Sequence, residues 1–222
     1  MAYSTVKESG YTGIQTSLHN RTWDGALKDI AEWNDRISEN PDLLLKATTA
    51  AHFRDGKKEN KLAVMYGHQN TAMIENRIDR LDILHDLGTR CIQLTYNSRN
   101  LVGDGCTERT NAGLSDFGVD VVERMNELGM IVDVSHSSPE TINHVLDVTC
   151  KPILNSHSGS RVIANKQQNL WDEQIRELSD NGGILAIHFC SRLVLGVDDI
   201  QSDITDVNFS DADLDRANFT NS

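Results

Sequence analysis

The chain alternates short apolar runs with amphipathic segments, and this alternation limits the folds open to it. The runs are rich in β-branched residues and have the length of strands. They lie at 13–18, 62–67, 90–95, 130–134, 152–156 and 183–188. Two intervening segments, 23–40 and 74–88, carry their apolar residues on one helical stripe, and Gly88 is the predicted C-cap of the second. The sequence therefore predicts an α/β fold with a parallel sheet, either doubly wound or a (β/α)8 barrel.

Polar side chains at the ends of the runs favour the barrel. No G-x-G-x-x-G follows the first run, so the sequence lacks the motif that is typical of a dinucleotide-binding doubly wound sheet. Barrel enzymes keep their sites at the C-terminal ends of the strands. The residues at such positions are His19, His68, Gln69, Tyr96, Asn97, His136 and His157. With about six strands where a closed barrel has eight, we predict a partial barrel of the (β/α)8 TIM type.

Length and composition predict one folded domain with a tail. The chain has 222 residues, of which 38% are hydrophobic, enough for one substantial core. We place the barrel domain at 1–200 and an acidic, mobile tail at 201–222. The tail resembles a pentapeptide repeat, but two or three copies do not build a solenoid.

Charge and cysteine usage exclude several classes of partner. The net charge of −12 opposes binding to nucleic acid and to anionic membrane surfaces. No apolar run is long enough to span a bilayer, and no secretory signal pattern is found at the N-terminus. The four cysteines are widely spaced, which predicts reduced thiols rather than a zinc or redox motif. We therefore expect a cytoplasmic protein.

Two histidines stand out as a matched pair. His136 in "DVSH" and His157 in "NSH" each follow a serine at the end of a predicted strand. Each histidine could cap its strand and form a hydrogen bond with a loop backbone, or the two could share a zinc ion. Their matching positions, each after a serine at a strand end, favour the shared zinc ion. Asp133 faces away from His136 by strand parity and is predicted to form structural hydrogen bonds. His188 lies inside an apolar run and is predicted to be a core histidine.

Segment 100–118 is long, polar and rich in glycine, and is predicted to be either a lid over the site or an ordinary surface loop.

The stretch from 62 to 196 resembles the renal (membrane) dipeptidase family, M19. The resemblance rests on "LGTRCIQLTYNSRNLVGDGC", "GLSDFGVDVVERMNELGMIVDVSH", "KPILNSHSGSR" and "NGGILAIHF". It implies a (β/α)8 barrel that holds zinc and hydrolyses dipeptides with zinc-activated water. It also implies that His136 and His157 are zinc ligands.

The sequence departs from the family pattern at several site positions. Gln69 stands where the family has a bridging glutamate, and an amide provides no negative charge between two cations. The family's His-x-Asp ligand pair and its late-strand aspartate have no counterpart here. We therefore expect one zinc ion rather than two, and we assign no catalytic base.

Four residues are the predicted substrate-binding set. Tyr96 replaces a family histidine and can donate a hydrogen bond to a developing oxyanion. Gln168 replaces an arginine that binds the substrate carboxylate, whereas Asn169 and Arg161 match the family. Recognition of the substrate carboxylate is therefore expected to be weakened unless Arg161 or Lys166 supplies the positive charge.

The favoured prediction is a zinc-dependent dipeptidase that acts on a small dipeptide-like substrate. Two alternatives remain open. The chain could be a catalytically impaired member that binds a small ligand without turnover, or an assembly module that works as a homo-oligomer or with a complementing chain.

Overall fold

The computed structural model describes Tyr3, Glu8, residues 10–188 and Cys190. It divides into two compact units. Of the described residues, the first unit holds those up to Gln93 together with Glu127–Ile131, and the second holds Leu94–Asn126 together with Val132–His188 and Cys190. The predicted tail at 201–222 lies outside the described residues, and the boundary at 200 stays a prediction.

The first unit is a parallel sheet built around one buried strand. Its elements are β1 Gly13–Gln15, α1 Trp23–Glu39, β2 Leu44–Lys46, α2 Ala50–Lys58, β3 Leu62–His68, a 3-10 helix Ala72–Ile74, α3 Asp79–Asp86 and β4 Thr89–Gln93. Strand β3 pairs in parallel with β1, with β2 along its first half and with β4 along its second half. Leu62, Val64 and Tyr66 on β3 are fully buried. Their removal from water drives the packing of the helices onto this strand.

The second unit has three parallel strands with helices between them. Its elements are most of α4 Asp116–Leu128, most of β5 Ile131–Asp133, α5 Pro139–Val148, β6 Leu154–Ser158, α6 Asp172–Asp180 and β7 Ile184–Ile187. Strand β6 pairs in parallel with β5 on one side and β7 on the other. Ser138 caps α5, since its side chain accepts a hydrogen bond from the Thr141 amide, and Pro139 follows at the first helical position. These alternating elements place the ends of β5, β6 and β7 at one edge of the unit.

The predicted fold class is confirmed. All six predicted strands are present, the pairings are parallel, and helices separate successive strands. Strand β2 was not predicted, because its leucine run is only three residues long and carries no β-branched residue. No helix in the described ranges combines the length and the apolar character that crossing a bilayer requires.

The predicted helix at 74–88 was wrong in its first turn. Helix α3 begins only at Asp79, after the 3-10 helix and a turn. Glu75 has a φ of 53°, which an α-helix cannot accommodate. The predicted end is correct: Gly88 follows the helix with a φ of 103°, a conformation open to glycine.

Candidate functional site

Two imidazole rings converge at the strand ends of the second unit. His136 follows β5 and His157 lies on β6. Their Nε2 atoms are 2.9 Å apart, and their ring centroids are 4.9 Å apart at an angle of 59°. The two residues are 21 positions apart in the chain, and the parallel pairing of β5 with β6 brings them together. The predicted convergence of this pair on a common point is present in the structure.

The backbone around His136 is held in an uncommon conformation. His136 has a φ of 59° and Asn97 a φ of 62°, both in the left-handed region that non-glycine residues seldom adopt. The His136 carbonyl accepts hydrogen bonds from the Cys106 amide (2.8 Å) and the Thr95 hydroxyl (3.2 Å). Gly105 is needed beside Asn97, because a Cβ there would lie 2.1 Å from the Asn97 carbonyl oxygen. Backbone conformations of this kind are concentrated at functional sites.

A buried carboxylate orients His157 through a serine. Ser156 Oγ donates to Asp133 Oδ2 at 2.5 Å and lies 2.7 Å from His157 Nδ1. Since its only proton goes to Asp133, Ser156 must accept from an Nδ1–H of His157. Asp133 is 1% exposed and also accepts from the Ser135 amide and hydroxyl. The Nε2 atom of His157 therefore carries a lone pair and faces His136.

His136 has two partners of opposite polarity at its outer nitrogen. Asn97 Oδ1 and Gln168 Nε2 each lie 2.7 Å from His136 Nδ1. The oxygen requires a proton on Nδ1, whereas the amide N–H requires a lone pair there. Tyr96 stacks on the same ring, with centroids 4.3 Å apart and planes 21° apart. Two predicted site residues, Tyr96 and Gln168, thus contact His136 directly.

A third histidine lies beside the pair. The His188 ring follows β7, and its centroid is 5.6 Å from that of His157. The Cys190 amide donates to His188 Nδ1 at 2.8 Å, so the ring proton is on Nε2. His188 is half-buried at the site rather than a core residue, which corrects the sequence interpretation.

Burial keeps these histidines neutral. It lowers the pKa of His136 to about 4, with His157 and His188 adding a smaller lowering. Burial also lowers the pKa of His157, against the opposing effect of the Asp133 carboxylate, and the pKa of His188. Each of these shifts favours the uncharged imidazole, which is the form that binds metal ions.

The histidine pair fits part of a zinc site. Two nitrogens on a tetrahedral zinc ion lie about 3.3 Å apart, within a few tenths of an ångström of the spacing between the two Nε2 atoms. In both rings Nδ1 has a hydrogen-bond partner, as is usual for metal-binding histidines. Among the described residues, no group of three His, Cys, Asp or Glu side chains is arranged to hold a metal ion. The structure therefore offers two protein ligands where catalytic zinc sites commonly have three.

The other predicted site residues have structural contacts of their own. The Arg161 guanidinium donates to Asn165 Oδ1 at 3.1 Å and lies 4.6 Å from the Trp171 ring centroid. Asn169 is 3% exposed, and its amide donates to the Ala164 carbonyl at 2.8 Å. Gln69 lies at the end of β3 in the first unit, where its backbone amide donates to the Leu18 carbonyl at 2.7 Å. The substrate-binding and bridging roles of these three residues stay predictions.

The segment between β4 and α4 is fastened by a buried carboxylate. Asp104 is 1% exposed and accepts hydrogen bonds from Arg99, from the Thr110 hydroxyl and from the Ala112 amide. The Arg99 guanidinium lowers the pKa of Asp104. Asn97, which holds His136, is part of the same segment. Sequence reasoning did not assign a role to Asp104.

Comparison with known proteins identifies the family. Residues 9–210 match the family model of the membrane dipeptidases, peptidase family M19. The chain belongs to this family. An uncharacterized dipeptidase of Schizosaccharomyces pombe is 35% identical over 132 residues, which is 59% of this chain and 32% of that protein. Dipeptidase verJ of Clonostachys rogersoniana is 32% identical over 155 residues, 69% of this chain and 40% of that protein. This M19 chain thus spans less than half the length of these relatives.

Solved structures agree on the fold. An amidohydrolase from Pseudomonas aeruginosa superimposes with a TM-score of 0.81 at 30% identity, covering 83% of this chain and 57% of that one. A metallopeptidase from Rhodobacter sphaeroides, bound to a phosphinate mimic of the dipeptide L-Ala-D-Ala, superimposes with a TM-score of 0.79 at 17% identity. It covers 87% of this chain and 66% of that one, and this likeness concerns the fold alone.

Proposed function

We propose that this M19 chain binds one zinc ion through His136 and His157 and hydrolyses dipeptides. The observation that carries the proposal is the pair of Nε2 atoms, 2.9 Å apart, on rings held by hydrogen bonds at Nδ1. Membership of a metallopeptidase family supports the metal. Zinc, when bound, supplies Lewis acidity that polarises a carbonyl group and lowers the pKa of a water molecule.

Each neighbouring residue has a part in this proposal. Asp133, through Ser156, fixes His157 with its Nε2 lone pair directed at the pair's midpoint. Tyr96 stacks on His136, where its hydroxyl is proposed to donate to an oxygen of the substrate. Arg161 is proposed to attract the substrate carboxylate, as its guanidinium is the fixed positive charge predicted for this role.

The proposed substrate class is small and peptide-like. The phosphinate mimic in the Rhodobacter sphaeroides structure is described as that of a dipeptide, and two of the named relatives are dipeptidases. We extend this class to the present chain because the M19 family model covers it from residue 9 to 210. We also propose a reducing, cytoplasmic location, in keeping with the finding that the four described cysteines, Cys91, Cys106, Cys150 and Cys190, form no disulfide with one another.

The zinc ligands are tested by removing them. We expect His136→Ala and His157→Ala each to reduce bound zinc to near the background level, measured by elemental analysis after dialysis. His19→Ala is the matched control, because His19 is exposed and contacts the Ser17 carbonyl in the first unit. Unchanged zinc content in the two site variants would contradict the proposal.

A second candidate function is binding without turnover. It is favoured by the presence of only two histidine ligands among the described residues and by Gln69 in place of a glutamate. A panel of dipeptides at saturating zinc separates the two functions: hydrolysis supports the peptidase, whereas saturable binding with intact dipeptide supports the binding module. Sedimentation of the same sample tests a homo-oligomer or a need for a complementing chain.

A further inference from the structure

We propose that Gln168 is a positioning residue that sets the tautomer of His136 and thereby weakens metal binding by the histidine pair. The metal part of this inference rests on the proposed function. The tautomer part rests on the hydrogen bonds around His136 alone.

The Gln168 amide favours a proton on His136 Nε2. Its Nε2 atom lies 2.7 Å from His136 Nδ1 and 3.3 Å from Asn97 Oδ1. An amide nitrogen only donates, so the first contact requires a lone pair on His136 Nδ1. The ring proton is then on His136 Nε2, directed at the lone pair of His157 Nε2, 2.9 Å away.

This tautomer completes a continuous chain of donors. The chain runs from Gln168 to His136, His157, Ser156 and Asp133, and each member donates to the next. A buried carboxylate lies at its far end and stabilises the polarity of the whole series. In this arrangement His136 Nε2 carries a proton and the lone pair of His157 Nε2 accepts it, so neither nitrogen is open to a metal ion.

Asn97 favours the opposite tautomer. Its Oδ1 atom, 2.7 Å from His136 Nδ1, can accept a proton from that nitrogen and leave a lone pair on Nε2. The Cys106 thiol donates to the same oxygen at 3.5 Å, which identifies Asn97 Oδ1 as an acceptor. Two lone pairs would then face each other at 2.9 Å, which is favourable only with a cation near both. Metal binding therefore uses the tautomer that Asn97 selects and Gln168 opposes.

Substitutions of the two amides should change zinc affinity in opposite directions. We expect Gln168→Met, which removes the donor with little change in size, to tighten zinc binding about 10-fold. We expect Asn97→Gly, which keeps the left-handed backbone and removes the acceptor, to weaken it about 10-fold or more. Competition with a chromophoric chelator measures both values. Gln167→Met is the matched control, since Gln167 is exposed beside Gln168.

The tautomer is read directly on the zinc-free protein by long-range ¹⁵N–¹H correlation spectroscopy of the histidine rings. We expect the Nε2–H form of His136 in the wild type and in Gln167→Met, and the Nδ1–H form in Gln168→Met. An Nδ1–H form in the wild type, or equal zinc affinities of Gln168→Met and Gln167→Met, would overturn the inference. Absence of zinc binding in every variant, with the expected tautomers, would contradict the proposed function and leave the hydrogen-bond assignment of Gln168 in place.

Discussion

Individual histidines in this chain have different electrostatic surroundings. His136 is buried and His157 is half-buried, and both have hydrogen-bond partners on their outer nitrogens. His68, in the first unit, is 1% exposed, and its Nε2 contacts the Thr89 hydroxyl at 3.2 Å, while its Nδ1 has no hydrogen-bond partner within the part of the chain that the structure describes. Burial lowers the pKa of His68 to about 4, against a weaker opposing effect of Asp29. A residue of this kind stabilises the folded chain only while it is neutral.

The pH dependence of unfolding should carry the signature of His68. Its pKa is lower in the folded than in the unfolded state, so its contribution is present above pH 6.5 and is lost as the pH falls toward 4. We expect the wild type to lose about 2 kcal/mol more free energy of unfolding than His68→Gln between pH 7 and pH 5. Urea titrations at the two values, without added zinc, measure the difference.

The exposed His19 offers the control for that experiment. His19→Gln should follow the wild-type profile, because the His19 side chain is exposed and its replacement removes no buried group. Parallel profiles of the wild type and His68→Gln would show that burial of His68 has no such effect.

The segment between β4 and α4 is the element on which His136 depends. It supplies Tyr96 and Asn97 to the site, and Asp104 fastens it through Arg99, Thr110 and Ala112. The Asp104 carbonyl also accepts from the Ser138 amide, which ties the segment to the start of α5. The sequence left open whether 100–118 is a lid or a surface loop, and these bonds show a segment with fixed internal contacts.

Removal of the Asp104 carboxylate should loosen this segment. We expect Asp104→Ala to lower the free energy of unfolding by about 2 kcal/mol, because three donors lose their acceptor. Hydrogen exchange of the Ala112 amide should become faster by a larger factor than exchange in β3. Asp120→Ala, at an exposed position on α4, is the control and should leave both measurements near the wild-type values. An unchanged Ala112 exchange rate in Asp104→Ala would contradict the assignment.

For the whole molecule, metal binding and stability are linked. A ligand that binds only the folded chain adds stability by mass action, about 2.7 kcal/mol at a free concentration 100 times its dissociation constant. We therefore expect zinc at that excess to raise the melting temperature by roughly 5 to 10 °C. The rise in melting temperature should be absent in the double variant that carries both His136→Ala and His157→Ala. Calorimetry with and without a chelator measures it, and an equal shift in the double variant would place the zinc elsewhere.

Most of the fold could be predicted because its signals are local. Apolar runs of strand length marked six strands, and the helical stripe at 23–40 marked α1 to within a residue. Strand β2 was missed because three leucines have no period that distinguishes strand from loop. The predicted start of α3 was wrong because no residue pattern in the sequence predicts the positive φ of Glu75.

The sequence by itself determined that His136 and His157 meet, because both follow adjacent parallel strands whose C-terminal ends share one edge. Only the tertiary structure decided what holds their outer nitrogens. Asn97 and Gln168 are 39 and 32 residues from His136, on irregular segments whose course no periodicity predicts. The tertiary structure also decided that His188 lies beside His157. The apolar run before His188 predicts a strand, but it does not predict which side chain at the end of that strand contacts the next strand. Strand order follows from local patterns, whereas the polarity of a hydrogen-bond chain follows from contacts between distant residues.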